Sequence, residues 1–472
     1  MSWRTARTHV SWLLFTDDRV YKAKRPVRLD FLDLSSPASR RRACRREVEL
    51  NRRQAPDVYE GVGRFAAPDG SNEPVVVMRR MPEDRRLSRL VAIDDPDVGS
   101  ALDRVAQGMA SFHRHAGRGP AVDRHCRARA VESLWAESLT TVGRFPEVAD
   151  AGLVARMAAL ATDYLSGRVR LLDRRVAAGH ALDGHGDLLA DDIFCLDDGP
   201  RILDCLEFDD RLRHLDPLAD MASLAMDLER LGRPDLGRRL LRSYRHATAD
   251  DWPSSLEHHW IAYRALVRAN VACITWLESA AVDDAATARR LLDLAVDHLG
   301  RAEVRLVLVG GLPGAGKSTL ASALARETGW ALIRSDHVRK ERGGDPSYDR
   351  AGRTAVYSEL LARAEASLGD GTSVVLDATW SRPVWRARAR ALARRASARL
   401  VQLEARAPDR ERLERAGART RTGTDDSDAG PAVAAHLTAE WELWPEATPI
   451  DTAGLPAAAA AVALTAVGPV DA

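Results

Sequence analysis

The chain has 472 residues, of which 45% are hydrophobic and 29% are charged, so it is long enough for two or three domains and too apolar to be largely disordered. Its formal net charge is +1, which leaves no overall field to attract nucleic acid or an anionic membrane. The five cysteines are scattered without paired spacing, which argues against a disulfide framework or a zinc site.

The first 80 residues predict short strands around one helix. Strand-like runs cover residues 9–16, 19–24 and 74–78, and a helix is predicted around residues 40–54. We expect room for one strand before 19–24, and that part of the chain has no glycine-rich loop. From residue 98 to about 300 the apolar residues follow helical periodicity.

A stretch rich in Gly and Asp, residues 183–210, interrupts the helices. It contains His185-Gly186-Asp187 and, 17 residues after Asp187, Asp204. We expect Asp187 in a loop before a short strand, 193–196, and Asp204 at the end of the strand paired with it, 201–206. Two carboxylates so placed can act as a base and a metal ligand. For His185 the alternative is a structural role, in which it bonds a backbone carbonyl.

From residue 304 onwards the pattern becomes strand, glycine-rich loop, helix and strand, which indicates an α/β domain with a parallel sheet. The loop has the P-loop spacing, with a strand (304–309) before it and a helix (317–327) after it. Backbone N–H groups of such a loop surround phosphate oxygens, while the Lys reaches the β- and γ-phosphates and the hydroxyl that follows it binds Mg²⁺. The predicted nucleotide-binding residues are Gly311, Gly314, Ala315, Gly316, Lys317, Ser318 and Thr319, with Ser318 as a metal ligand.

Two carboxylates follow the next strands of this domain. The run 331–335 ends at Asp336, and the run 373–376 ends at Asp377. Ligands of parallel sheets bind beyond the carboxyl ends of the strands, so we expect both side chains to face the phosphate site. There a carboxylate can accept a hydroxyl proton or orient Mg²⁺ and its water. For either residue the alternative is an ordinary turn or helix N-cap.

A fourth strand, 399–405, leads into a polar segment that contains Arg415, Arg419 and Arg421. Arginines on a closing lid commonly neutralise the charge of a phosphoryl group in transfer. The alternative for each is a solvated helix end.

Residues 303–452 resemble a group of P-loop kinases. The runs VGGLPGAGKST, SDHVRK and VVLDATW and the Arg-rich segment are similar to those of polynucleotide kinase, zeta toxin, gluconate kinase and chloramphenicol phosphotransferase. The resemblance implies that Asp336 is the base toward the acceptor hydroxyl, that Arg339 holds substrate and that Arg419 or Arg415 contacts the phosphates. We also predict that Asp377 contacts substrate and Mg²⁺. The group does not imply one acceptor.

Residues 8–290 resemble the aminoglycoside phosphotransferase and choline kinase-like family, which is related to the protein kinase fold. The matching runs are VYKAK, RREVELNRR, VVVMRRMPED, FHR, HGD, RILDCLEF and DPLADMA. The resemblance implies an ion pair between Lys22 and Glu47 that positions phosphates, Asp187 as catalytic base and Asp204 as Mg²⁺ ligand. The family has Asn as second metal ligand where this chain has Asp192. Asp216 and Asp220 would support the catalytic loop.

The sequence thus predicts two domains, 1–300 with an α+β protein-kinase-like fold and a short N-terminal lobe, and 301–472 with an α/β P-loop fold. The arrangement resembles bacterial bifunctional aminoglycoside phosphotransferase/ATP-binding proteins. We predict a cytoplasmic kinase that uses ATP and Mg²⁺ to phosphorylate a hydroxyl of a small molecule, with neither membrane nor nucleic acid as partner. The alternatives are transfer mainly in the N-terminal domain, or a nucleotide-binding regulator with an N-terminal pseudo-kinase. The oligomeric state is not indicated.

Overall fold

The computed structural model describes residues 3–8, 10–29, 32–66, 72–279, 281–341, 350–422 and 438–470. The chain divides into two compact units. The first comprises Met1–Arg156, Leu172–Trp252 and Trp260–Val296, and the second comprises Met157–Leu171, Pro253–His259 and Asp297–Ala472. The predicted domain limits at residues 300 and 301 stay a prediction.

The first unit begins with a five-stranded antiparallel sheet of order β1-β2-β3-β7-β6. The strands are β1 (Arg4–Arg7), β2 (Ser11–Phe15), β3 (Arg19–Lys24), β6 (Tyr59–Ala66) and β7 (Asn72–Arg79), and a small pair is formed by β4 (Arg28–Leu29) and β5 (Leu32–Asp33). Two strands precede β3, so the expectation of room for only one was wrong. The four residues Arg4–Arg7 suffice for an edge strand.

Helix α1 (Pro37–Asn51) covers this sheet and starts where the sequence provides a cap: the Ser36 hydroxyl accepts the N–H of Ser39, and Pro37 is the first helical residue. The helix buries Cys44, Glu47 and Val48. A charged residue among apolar neighbours on the buried face signals a partner inside the lobe.

The rest of the first unit is mainly helical, as the periodicity predicted. The helices that begin in it or in the adjoining segments are α2 (Leu87–Ala92), α3 (Val98–His115), α4 (Pro120–Asp123), α5 (Ala128–Val142), α6 (Ala151–Gly167), α7 (Val169–Ala177), α8 (Pro217–Arg230), α9 (Pro234–Thr248), α10 (Ser254–Ser279) and α11 (Val282–Ala302). Between α7 and α8 lie the short strands β8 (Leu182–Asp183), β9 (Ile193–Leu196), β10 (Gly199–Ile202) and β11 (His214–Leu215). Because β10 ends at Ile202, Asp204 lies beyond the strand rather than at its end, which corrects the prediction.

The second unit contains a fully parallel sheet of order β13-β14-β12-β15-β16. Its elements are β12 (Arg305–Gly310), α12 (Lys317–Thr328), β13 (Ala331–Arg334), α13 (Ser335–Glu341), α14 (Arg350–Gly369), β14 (Val374–Asp377), α15 (Pro383–Arg395), β15 (Arg399–Arg406), α16 (Asp409–Thr422), β16 (Thr448–Asp451) and α17 (Pro456–Val467). All six residues of the central strand β12 are buried, as expected of a parallel strand covered on both faces. The first unit thus has the α+β architecture, a small antiparallel sheet followed by a mainly helical part, that the sequence analysis predicted as protein-kinase-like, and the second has the predicted α/β P-loop fold.

Two details of this sheet differ from the sequence analysis. The edge strand β16 was not predicted, because only Ile450 of its four residues is buried and it contains a proline. Strand β13 ends at Arg334, so Asp336 lies in the first turn of α13 and not directly at the end of a strand. Across the described residues, no helix combines the length and the apolar character needed to cross a membrane.

Candidate active sites

The loop between β12 and α12 follows a path that requires glycine. Gly311 and Gly314 have φ angles of 141° and 81°, in the region that other residues rarely adopt. A Cβ atom on Gly314 would lie 2.2 Å from the carbonyl oxygen of Arg412, and one on Gly311 would lie 2.6 Å from that of Ala405. The loop ends where α12 begins at Lys317, and the free N–H groups of a helix N-terminus favour an anion there.

Asp377 is the buried acid of this P-loop site. It ends β14, which pairs with β12 in the middle of the sheet, and its side chain is 5% exposed. Burial raises the pKa of the Asp377 carboxyl, and the Lys317 ammonium and the Ser318 hydroxyl only partly oppose this rise. Its Oδ1 atom accepts no hydrogen bond within the described part of the chain. A buried carboxylate oxygen without a donor, next to a serine hydroxyl, fits a hard cation such as Mg²⁺.

Asp336 lies at the same edge of the sheet, because β13 pairs with β14 in the register Arg334 to Asp377. Its Oδ1 atom accepts a hydrogen bond from Nη1 of Arg339 at 2.5 Å, one helical turn away. The side chains of Asp336 and Arg339 are 23% and 17% exposed, so the pair can be reached from solvent. Arg339 therefore orients Asp336, and its predicted contact with substrate stays a prediction.

A cavity of about 540 Å³ opens beside the start of α12. Its lining comprises Gly316, Lys317, Ser318, Thr319, Leu320, Arg415, Thr452, Gly454, Pro456 and Ala459. The Arg415 guanidinium is held there by bonds from Nη2 to Glu411 (3.0 Å) and to the carbonyl of Thr452 (3.1 Å). Arg415 thus lies beside the P-loop, whereas the side chains of Arg419 and Arg421 lie outside the described residues.

The far wall of this cavity had no signal in the sequence. The hydroxyl of Thr452 donates to the carbonyl of Ala315 at 2.6 Å and so ties the segment after β16 to the P-loop. Neither Thr452 nor the alanine-rich helix α17 belongs to a motif. Their contribution depends on β16, the strand that the sequence analysis missed.

In the first unit, five side chains of alternating charge contact one another in a row, and all except Asp204 are buried or nearly so. The Glu47 carboxylate forms ion pairs with Nζ of Lys22 at 2.9 Å and with Nζ of Lys24 at 2.7 Å. Each lysine also pairs with a second carboxylate: Lys22 with Asp204 (2.5 Å) and Lys24 with Glu207 (2.5 Å). Both lysines face α1 because alternate residues of a strand share one side. Burial alone would raise the pKa of Glu47, but the two ammonium groups outweigh it and lower that pKa. The expected pair of Lys22 and Glu47 is present, and a second lysine shares it.

Asp220 fixes the backbone of the HGD loop, His185–Asp187, by hydrogen bonds. The Asp220 carboxylate accepts the backbone N–H groups of His185 (2.7 Å) and Gly186 (2.9 Å) and approaches Nε2 of His113 at 3.1 Å. Burial raises the pKa of Asp220, but the bonds and charges of its partners lower it well below the usual range. Nε2 of His185 lies 3.0 Å from the carbonyl of Leu203, the structural alternative considered for this residue. Asp220 supports the loop as expected, whereas Asp216 caps α8 and pairs with Arg175.

Asp187, Asp192 and Asp204 lie close enough to influence one another. Burial raises the pKa of Asp192 well above its usual value, and the charges of Asp204 and Asp187 raise it further. Asp204 has a φ angle of 63°, unusual for a residue with a side chain and frequent at functional sites. In the described ranges no three or more His, Cys, Asp or Glu side chains are grouped to hold a metal ion. Phosphate oxygens and water would have to complete the shell around an ion on Asp192 and Asp204.

Comparison with known proteins finds two family models and a mycobacterial relative that are similar to this chain. Residues 306–443 match the model of an AAA domain, and residues 271–337 match that of the methylmalonyl Co-A mutase-associated GTPase MeaB. Over 461 residues the chain is 42% identical to Uncharacterized protein Rv2004c of Mycobacterium tuberculosis, which covers 95% of this chain and 92% of the relative. The chain belongs to the same family as this mycobacterial protein.

Two solved structures resemble parts of this chain. The GDP complex of aminoglycoside 2′-phosphotransferase-IIIa covers 63% of this chain and 92% of its own, with 14% identity and a TM-score of 0.40. A sugar kinase from Janibacter sp. covers 35% of this chain and 94% of its own, with 21% identity and a TM-score of 0.28. The match to the AAA domain lies over the P-loop and the parallel sheet, and P-loop domains generally bind a nucleotide with Mg²⁺.

Proposed function

We propose that this protein is an ATP-dependent kinase whose P-loop site transfers the γ-phosphoryl group to a hydroxyl of a small molecule. The observation that carries this proposal is the meeting of Lys317, Asp377 and Asp336 at one edge of the parallel sheet. The first is suited to phosphate oxygens and the second to a metal ion. The third is a partly exposed carboxylate oriented by Arg339, which a kinase needs for its acceptor and a simple nucleotide switch does not.

The residues of the site divide the work of phosphoryl transfer. The loop N–H groups and Lys317 would hold the β- and γ-phosphate oxygens, and Arg415 would neutralise charge at the side of the cavity. The acceptor oxygen bonds to the γ-phosphorus while its proton passes to Asp336, and the bond from the γ-phosphorus to the bridging oxygen breaks to release ADP. Ser318 and Asp377 would hold Mg²⁺, which supplies charge neutralisation when it is bound.

The test is phosphate transfer from labelled ATP to a panel of sugars, aminoglycosides and nucleosides. Lys317→Ala should abolish transfer together with ATP binding at this site. Asp336→Asn should abolish transfer but keep ATP binding, because the base does not hold the nucleotide. Lys340→Ala is the matched control, since Lys340 is the other lysine of this domain and its side chain is exposed. If Asp336→Asn transfers phosphate at the normal rate, the assignment of the base is wrong.

A second candidate places the main transfer in the N-terminal domain. It is supported by the Lys22–Glu47 pair and by the hydrogen bonds of the Asp220 carboxylate to the HGD loop, which would serve as the phosphate anchor and the ordered loop of a kinase. Under this alternative Asp187→Asn abolishes transfer while Lys317→Ala leaves it intact. ATP binding without any phosphorylated product would instead favour a nucleotide-binding regulator.

A further inference from the structure

Asp187, the predicted base of the N-terminal domain, is paired with an arginine that belongs to none of the motifs. Nη1 of Arg268, on helix α10, donates to Oδ2 of Asp187 at 3.2 Å. The two side chains are 29% and 28% exposed, so a ligand can reach them from solvent. The sequence gives no hint of this pair, because the two residues are 81 positions apart.

The guanidinium of Arg268 is positioned by a fixed stretch of helix. One turn earlier, Arg264 is almost fully buried and donates to the carbonyls of Gly186 (2.6 Å) and Ala219 (3.1 Å). Two residues later, Asn270 donates to the carbonyl of Ser138 at 3.0 Å. The bond from Arg264 to Gly186 ties the helix to the residue next to Asp187. Arg268 is therefore held at this loop by its backbone, whether or not its own ion pair is formed.

Most of the donor capacity of Arg268 remains available. A guanidinium carries five N–H donors in a planar fork, and within the described residues Arg268 donates only to Asp187. The other N–H groups can bind a second acceptor without loss of the first bond. Carboxylates and phosphates match this fork best, since both accept two parallel bonds.

We propose that Arg268 forms an anion-binding subsite next to Asp187, which accepts a carboxylate or phosphate group of the molecule bound in the N-terminal domain. The acidic group comes either from a second substrate or from the terminal phosphate of a nucleotide. The subsite goes beyond the proposed function at the P-loop and does not depend on it. A polycation is a poor ligand here, because it would meet the guanidinium.

The experiment measures binding by calorimetry in the full chain with Lys317→Ala, so that the P-loop site does not contribute. One arm compares ATP with ADP, and the other compares gluconate and glucose 6-phosphate with glucose; kanamycin serves as the cationic probe. We expect at least one acidic member of these sets to bind more tightly than its partner. Arg268→Gln should then weaken that member by roughly 10- to 100-fold, the value of a charge-assisted bond.

Two further variants protect the interpretation. Arg268→Lys keeps the charge but loses the fork, and should give an intermediate affinity. Arg290→Gln removes an exposed arginine of α11 and should change nothing. Loss of the preference for ATP over ADP identifies the terminal phosphate as the anion, and loss of the preference for the acidic sugars identifies a second substrate. The proposal is wrong if no acidic probe binds, if Arg268→Gln leaves both preferences unchanged, or if kanamycin binds more tightly than the acidic sugars.

Discussion

The two lysines of β3 should have opposite importance for stability and for ligand binding. Lys24 is 1% exposed and bridges Glu47 and Glu207, which are 0% and 11% exposed. Lys24→Met would leave Glu207 without its lysine partner and Glu47 with Lys22 as its one remaining partner. We therefore expect the free energy of unfolding to fall by about 3–5 kcal/mol. Lys22→Met leaves Glu47 paired with Lys24, and the freed Asp204 is 49% exposed and can be hydrated. Its cost should therefore be about 1–2 kcal/mol.

The same two variants should have the reverse order of effect on ligand affinity. Lys22 is the lysine that reaches Asp204. If the N-terminal domain binds a nucleotide, as the second candidate function proposes, Lys22→Met should weaken that binding more than Lys24→Met does. Urea unfolding followed by tryptophan fluorescence measures the first ranking, and calorimetry with ATP in the Lys317→Ala background measures the second. Lys24→Met with Glu207→Gln should recover part of the lost stability, because it removes the orphaned charge. If Lys22→Met destabilises the protein as much as Lys24→Met, Lys24 is not the more important of the two lysines for stability, and the reasoning is refuted.

Three other changes test separate parts of the molecule. Gly314→Ala should abolish ATP binding at the P-loop, because the added Cβ would collide with the backbone of Arg412; normal calorimetric affinity would contradict the loop geometry. Arg168→Met should lower the unfolding free energy by about 2–4 kcal/mol, since this buried side chain donates to the carbonyls of Leu368, Ala396 and Ser397; an unchanged urea midpoint would refute this. Asp220→Asn should destabilise at pH 7, and the difference from wild type should shrink as the pH falls below about 4. The carboxylate, whose pKa is lowered in the folded state, stabilises the fold fully above the unfolded pKa, and this contribution is lost as the pH falls towards the lower folded pKa. An equal loss at pH 3 and pH 7 would show that the charge of Asp220 is not what stabilises the loop.

The sequence predicted features that depend on local spacing and missed those that depend on packing. The glycines of the P-loop and the continuous apolar run of β12 are local, so the loop, the strand and the helix after it were all predicted close to their observed limits. The end of β13 was predicted one residue too late, so Asp336 was expected directly after the strand and not in the first turn of α13. Nothing in the sequence distinguishes the last residue of β13 from the first of α13. Arg268 and Thr452 reach their sites through a long helix and an edge strand, and such contacts have no fixed spacing along the chain.

The role of Lys24 could have been foreseen in part. The alternation in RVYKAK puts both lysines on one face, and the family resemblance explains only one of them. What the pattern could not supply was Glu207, which meets Lys24 only because the segment after β10 returns to the sheet. A second buried lysine therefore indicates a partner without saying where along the chain it lies.

The discontinuity of the second unit bears on how the chain folds. Met157–Leu171 and Pro253–His259 belong to the second unit although they precede its sheet along the chain. Arg168 donates to carbonyls at the ends of α14 and α15, and the Ser255 hydroxyl donates to the carbonyl of Gly371 at 2.6 Å. During synthesis these two segments leave the ribosome long before residues 368–397, so their native contacts cannot form until that later part of the chain has been made. Contacts between such distant residues slow folding, because the intervening chain has to be ordered first. The second unit should thus acquire its native packing late, after the first unit has folded.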